Sequence, residues 1–183
     1  GMKPLRELTT FTDFTLSMSD SPILGLLAGT IFTLIVQSSS ATVAILQGLY
    51  AENLLSLSGS LPVLFGDNIG TTITAILASL GASVAAKRAA ATHVLFNVVG
   101  SIIFLILLTP FTMYVEWISG VLNLENKMQI AFAHGSFNVA NTIIQFPLIG
   151  AWAYLVTKLI PGEDVLIEYK PKHLDVHFIE QSP

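Results

Sequence analysis

The stretch "LIVQSSSATVAIL", residues 34–46, sets four consecutive polar side chains, Gln37, Ser38, Ser39 and Ser40, inside an apolar run, with Thr42 close behind. No charged residue occurs between Ser21 and Ala51. Residues 22–36 would make about 22 Å of helix, and residues 41–50 make less. Neither piece crosses a hydrocarbon core of about 30 Å alone. A re-entrant hairpin with "QSSS" at its tip fits these lengths; one long helix through the polar break is the alternative.

The rest of the chain supports a membrane setting. Of 183 residues, 52% are hydrophobic and 11% charged, against about 25% charged in an ordinary soluble domain. Mean hydropathy is +0.71. Charge-free runs cover 21–51, 68–86, 89–115 and 128–157, and several reach the roughly 20 residues that cross a bilayer. The expected class is an all-α integral membrane protein, built of re-entrant or broken helices plus transmembrane helices. No basic stripe or basic excess supports nucleic-acid binding. The absence of cysteine excludes disulfide and thiolate chemistry but identifies no compartment.

Charge and punctuation divide the chain. Residues 1–20 form a polar lead-in without the apolar core of a signal peptide. Residues 21–160 form the transmembrane unit, and 161–183 a charged tail. Within the unit, 22–50 is broken at "QSSS", 61–80 is expected to break near "GDNIGTT", and 89–109 and 128–158 are the cleanest spans. Lys87 and Arg88 precede the third segment, and Lys158, Lys170 and Lys172 follow the fourth. The loop expected at 110–127 has Lys127 beside Glu116 and Glu125. Two crossings place the Lys87/Arg88 loop and the tail on one side, which the lysine and arginine bias assigns to the cytoplasm. The expectation is therefore a multi-pass protein of the plasma (inner) membrane with a cytoplasmic tail.

Four successive residues cover most of a helix circumference, so Gln37–Ser40 cannot all avoid lipid on a regular, lipid-exposed helix. Polar or irregular backbone at that depth requires protein or a watery cavity around it. Half-helix ends there offer N–H groups to an anion and carbonyls to a cation, and serine hydroxyls serve either. A solvated loop with idle serines is the bland alternative. The second polar stretch, "GDNIGTTIT" (66–74), adds Asp67, Asn68, Thr71, Thr72 and Thr74. A carboxylate beside an apolar span is a candidate cation ligand, although Asp67 also suits a helix cap.

An internal echo relates "HVLFNVVGSII" (93–103) to "HGSFNVANTII" (134–144), 41 residues apart. His93, Asn97 and Ser101 form one helical stripe, and His134, Asn138 and Thr142 repeat it, with Asn141 and Gln145 on the same face. Hydrogen bonding between helices explains such stripes as well as ligand binding does. Asn97 and Asn138 are second-tier site candidates. The spacing of Gly25 and Gly29 reads as a packing face.

Together, "QSSSAT", "GDNIGTT", "AKRAAATHVLFN" and "AHGSFN" resemble the sodium–phosphate cotransporter family, over roughly Gly25–Lys158. The resemblance implies two inverted repeats facing each other across a central site, with sodium driving phosphate symport. It implies that Gln37, Ser38, Ser39 and Ser40, with Thr42, contact phosphate and sodium, and that Asn68, Thr71 and Thr72 supply the neighbouring wall. Sodium would sit among Gln37, Ser38, Ser39 and Thr71. Asp67 departs from the family pattern, which has a small residue there in many members, so its candidacy as a cation ligand comes from its place beside an apolar span and not from the resemblance. The order of motifs is similar to the second repeat of bacterial members. One Gln-Ser-Ser-Ser and one Asn-Ile-Gly-Thr-Thr occur here, so the chain reads as half a transporter that pairs with the other repeat or a second copy. Expected partners are phosphate, sodium and membrane lipid; no cofactor beyond the coupling ion is expected.

Two other classes compete. An intramembrane serine hydrolase would need one activated hydroxyl, and no G-x-S-x-G elbow surrounds these serines. A non-transporting scaffold or regulatory subunit is the other rival.

Overall fold

The structure, a computed structural model, describes Ser17, Asp20 and residues 21–163. Most of the polar lead-in and of the charged tail, including Lys170 and Lys172, therefore lies outside the described residues. Serine begins the first four helices. Ser21, Ser38, Ser56 and Ser83 each accept a backbone N–H from three residues on, satisfying a donor left free at a helix start. These caps open α1 (Pro22–Val36), α2 (Ser39–Ala51), α3 (Leu57–Ser79) and α4 (Val84–Ile106). Then come α5 (Leu108–Val121), α6 (Asn126–Gln145), a 3-10 turn at Phe146–Leu148 and α7 (Ile149–Leu159).

Helices α3 and α4, and the run Asn126–Leu159, are long and apolar enough to cross a membrane. Their directions follow from the contacts. At one end, Arg88 donates from Nε to the Ile160 carbonyl (3.1 Å) and from Nη2 to that of Gly162 (2.9 Å). At the other end, Gln47 donates to the Lys127 carbonyl (3.1 Å) and the Tyr50 hydroxyl to Gln129 Oε1 (2.7 Å). So α3 runs from the Lys127 end to the Arg88 end, α4 returns, and α6–α7 runs back. The described charges sort accordingly. Asp20, Glu52, Glu116, Glu125 and Lys127 lie at one end, and Lys87, Arg88, Lys158 and Glu163 at the other. Asp67 alone lies between.

Helices α1 and α2 form a hairpin. Gly25 faces Pro62 of α3, Gly29 faces Val63, and Gly66 and Gly70 face Leu26 and Thr30 of α1. The registers rise together, so α1 runs parallel to α3 from the Lys127 end. A Cβ on Gly29 would strike the Val63 carbonyl, and one on Gly66 the Leu26 carbonyl; on Gly70 it would lie 2.6 Å from the Thr30 carbonyl. The glycines let two backbones touch. Gln37 then takes a left-handed conformation (φ 53°) that ends α1. Helix α2 returns to the Lys127 end, where five residues lead into α3. The turn lies beside Asp67, the eleventh residue of the 23-residue α3, or about 15 Å along it. That is mid-depth.

Five expectations need correction. Helix α3 is continuous through residues 66–74, because Gly66 and Gly70 serve the α1 contact instead of breaking the helix; it also begins at Leu57 rather than 61. Asp67 accordingly lies mid-helix and caps nothing. The expected loop 110–127 contains α5, since Pro110 sits in the first turn, where its missing N–H costs no helical bond. The span 128–158 is interrupted near Pro147 by the 3-10 turn, although its apolar run continues.

Phenylalanines knit the elements together. The Phe65 and Phe137 rings lie 4.7 Å apart, and Phe104 meets Phe137 and Phe111 edge-on at 4.9 and 5.0 Å. This cluster fixes α3, α4, α5 and α6 around the hairpin. Outward faces are apolar, as with Ile23, Ile31 and Ile35 on α1 and Val139 and Ile143 on α6.

Candidate functional site

The hairpin tip joins α3 through hydroxyl groups. Thr33 Oγ1 donates to Asp67 Oδ1 at 2.7 Å, and Ser39 Oγ donates to Asp67 Oδ2. Thr33 and Thr42 share a hydrogen bond of 2.8 Å across the two arms. Asp67, Thr33 and Thr42 are buried. A carboxylate removed from water is costly unless hydrogen bonds replace its hydration, and here two hydroxyls do so. Among the described residues no ion pair with Asp67 is found, and no cluster of three His, Cys, Asp or Glu residues occurs.

The four polar residues at the turn divide their work. Gln37 forms the αL corner, and its side chain is exposed. Ser38 Oγ caps α2 by accepting from the Ala41 N–H at 3.3 Å. Ser39 reaches Asp67, and Ser40 is exposed. The N–H groups of Ser39 and Ser40 open α2, where the helix dipole is positive. An α-helix start thus points into mid-depth beside a buried carboxylate. Such a place can attract an anion and a cation together.

The other candidates are less closely joined. Asn68 faces α6: its Nδ2 donates to Asn138 Oδ1 (2.6 Å), and its Oδ1 lies 3.1 Å from His134 Nε2. Thr71 Oγ1 donates to the Asp67 carbonyl (2.8 Å) and Thr72 Oγ1 to that of Ile69 (2.7 Å). Among the described residues, no hydrogen bond links Asn68, Thr71 or Thr72 to the hairpin. Their oxygens keep acceptor capacity. Asn97 is occupied locally, its Nδ2 donating to the His93 carbonyl at 2.9 Å, and Asn138 repeats the bond to His134. The echo in sequence is an echo in bonding. Asn141 and Gln145 turn to α4, where Gln145 Nε2 reaches the Phe96 carbonyl (2.9 Å) and Asn141 Oδ1 (2.6 Å).

Thr33 is the residue that sequence reasoning passes over. It sits four positions before Gln37 in an apolar run, and nothing in that run sets it apart from Thr30. Only the packing of α1 on α3 aims it at Asp67.

A family model described as Na+/Pi-cotransporter matches residues 7–124. Protein YqeW of Bacillus subtilis (strain 168) is 36% identical over 160 residues, covering 87% of this chain and 51% of that protein. The protein named putative inorganic phosphate export protein YjbB of Escherichia coli K12 is 30% identical over 165 residues, covering 90% of this chain and 30% of its own. Human sodium-dependent phosphate transport protein 2B is 38% identical over 64 residues, covering 35% of this chain and 9% of its own. This chain thus spans about half the length of the Bacillus relative and less of the others. No solved structure matches.

Proposed function

The chain belongs to the Na+/Pi-cotransporter family, a family of transporters rather than enzymes, and from that premise we propose that it builds one half of a sodium-coupled pathway for inorganic phosphate. Phosphate binds at the start of α2, received by the N–H groups of Ser39 and Ser40 and by the side chains of Gln37, Ser38 and Ser40. Sodium binds beside it, between the Asp67 carboxylate and the oxygens of Ser39, Thr33 and Thr71. Asn68, Thr72 and Thr42 shape the surrounding wall, while Asn138 holds α6 to α3 through Asn68 and Asn97 bonds within its own helix. The contact between Ser39 and Asp67 carries this reading.

Charge gives the coupling a physical basis. A phosphate anion about 5 Å from an ionised Asp67 would be repelled by about 3 kcal/mol at an effective dielectric constant of 20. A sodium ion between them reverses the sign. Phosphate should therefore bind weakly without sodium, and sodium weakly without phosphate, as reciprocal coupling demands. No arginine or lysine lies at this depth among the described residues, so hydroxyls, amides and the helix start must balance the anion. Among the described residues no hydrogen bond joins a serine of the tip to His93 or His134, and the serine-hydrolase rival gains no support from the geometry.

A midplane site of this design is assembled between two repeats. The exposed Gln37 and Ser40 are the groups that a second repeat, or a second copy, would cover. The Arg88 end, with its excess of basic residues, faces the cytoplasm, which puts the chain after Glu163 on the cytoplasmic side; the plasma (inner) membrane is the setting proposed for the pathway. The names of the relatives given above point to phosphate export in one case and to sodium-dependent transport in another. Sodium gradients imposed in either orientation across vesicles holding the complete transporter, with radiolabelled phosphate, test both coupling and direction. Phosphate flux indifferent to sodium would remove the proposed coupling.

A further inference from the structure

Helix α5 has both neighbours at the same end of the bundle. Ile106, which closes α4, and Asn126, which opens α6, both lie at the Lys127 end. A 14-residue helix between them, about 21 Å long, therefore runs across that end instead of through the bundle. Its two long faces differ in position but not in polarity. Phe111, Val115 and Ser119 are buried, with Phe111 against Phe65 and Phe104. Met113, Trp117 and Val121, at i, i+4 and i+8 on the opposite side, are 64%, 65% and 61% exposed. Pro110 and the exposed Tyr114 share that outer sector, and Glu116 lies at its edge.

We propose that α5 is an interfacial helix whose Met113–Trp117–Val121 face is seated in the headgroup–acyl boundary of the bilayer on the non-cytoplasmic side. Water is the wrong solvent for three large apolar side chains on one stripe. The hydrocarbon centre is wrong as well, because the helix lies at the end of the spans and carries Glu116 beside the stripe. The boundary suits both. Tryptophan and tyrosine collect there because each ring has an apolar body and a polar edge. This end carries one described basic residue that sets orientation, Lys127, against Lys87, Arg88 and Lys158 at the other, and the end poorer in lysine and arginine lies opposite the cytoplasm. Through Phe111, the depth at which α5 floats is tied to Phe65, two residues from Asp67. The inference rests on the membrane-spanning reading of α3, α4 and α6, and not on phosphate.

Tryptophan fluorescence tests it. The chain has two tryptophans, so Trp152→Phe leaves Trp117 as sole reporter in vesicles of phosphatidylcholine and phosphatidylglycerol. Lipids brominated near the glycerol end of the acyl chain should quench Trp117 more than lipids brominated near the methyl end, and aqueous iodide should quench it weakly. A reference protein carrying Trp117→Phe, Trp152→Phe and Val139→Trp reports the middle of α6 and should show the reverse depth order. If the reference is quenched as expected but Trp117 responds chiefly to iodide, the face is aqueous and the proposal fails. Quenching of Trp117 by neither agent means that protein, such as a second copy, covers it, and the proposal also fails. Deeper quenching at Trp117 than at position 139 would mean that α5 crosses the membrane. Failure of the reference would overturn the membrane-spanning reading, and the interfacial assignment with it.

Discussion

Ser39, the first residue of α2, donates its hydroxyl hydrogen to Asp67 in the middle of α3. That bond makes the hairpin tip and the spanning helix a single polar unit. Thr33 strengthens it from the other arm. The unit depends on the glycine contact between α1 and α3, because a wider spacing would carry Thr33 out of reach of the carboxylate. Sequence, packing and site are thus linked through the smallest side chain.

The glycine contact predicts a graded mutational series. Gly66→Ala would drive a methyl group into the Leu26 carbonyl, and Gly29→Ala would drive one into that of Val63. Each should cost about 1–3 kcal/mol through overpacking and loosen the tip. Gly135→Ala, with nothing within 4 Å of the added carbon, should be neutral or should stabilise by up to about 1 kcal/mol from helix propensity. Thermal unfolding in detergent measures all three. Equal stability across the series would contradict a close backbone contact.

The path of the chain predicts its sidedness. Single cysteines at Ser83 and Glu163 should react with a membrane-impermeant reagent from the cytoplasmic side alone. Cysteines at Asp20 and Asn123 should react from the opposite side alone, because the hairpin enters and leaves at the Lys127 end. Reaction of Asp20 and Ser83 positions from the same side would require α1–α2 to cross the membrane.

Much of this arrangement was legible in the residues. The lengths on either side of "QSSS" pointed to a hairpin, and the spacing of Gly25 and Gly29 to a packing face. Two charge-poor stretches marked α4 and α6. The continuity of α3 was not legible, since glycine breaks a helix or admits a neighbour depending on what faces it. Only tertiary structure decides between these roles for Gly66 and Gly70. Helix α5 was hidden by Pro110, which punctuates a loop unless it falls in a first turn. Thr33 was hidden because its role is set by Asp67, 34 positions away. Which polar residues of α3 meet the hairpin was likewise a matter of helix rotation: Asp67 turns to α1 and α2, while Asn68 turns to α6.

A lone copy should not transport. One repeat offers half of a midplane site and leaves Gln37 and Ser40 exposed where lipid cannot satisfy them. Reconstituted at high lipid-to-protein ratio, the chain should give no sodium-driven phosphate flux until its density allows association or the other repeat is supplied. Flux proportional to density, from particles shown by crosslinking to be monomeric, would contradict this.

The most direct test of the central claim is the sodium dependence of radiolabelled phosphate flux in vesicles bearing the complete transporter, compared among the native protein, Ser39→Ala and Asp67→Asn. Loss of one hydrogen bond in a desolvated site costs about 1–3 kcal/mol, so Ser39→Ala should lower flux by about fivefold or more at unchanged membrane abundance. Asp67→Asn keeps the shape but removes the charge, so whatever flux remains should lose its dependence on sodium. Native flux with native sodium dependence in both variants would show that phosphate and sodium meet somewhere other than the tip of the hairpin.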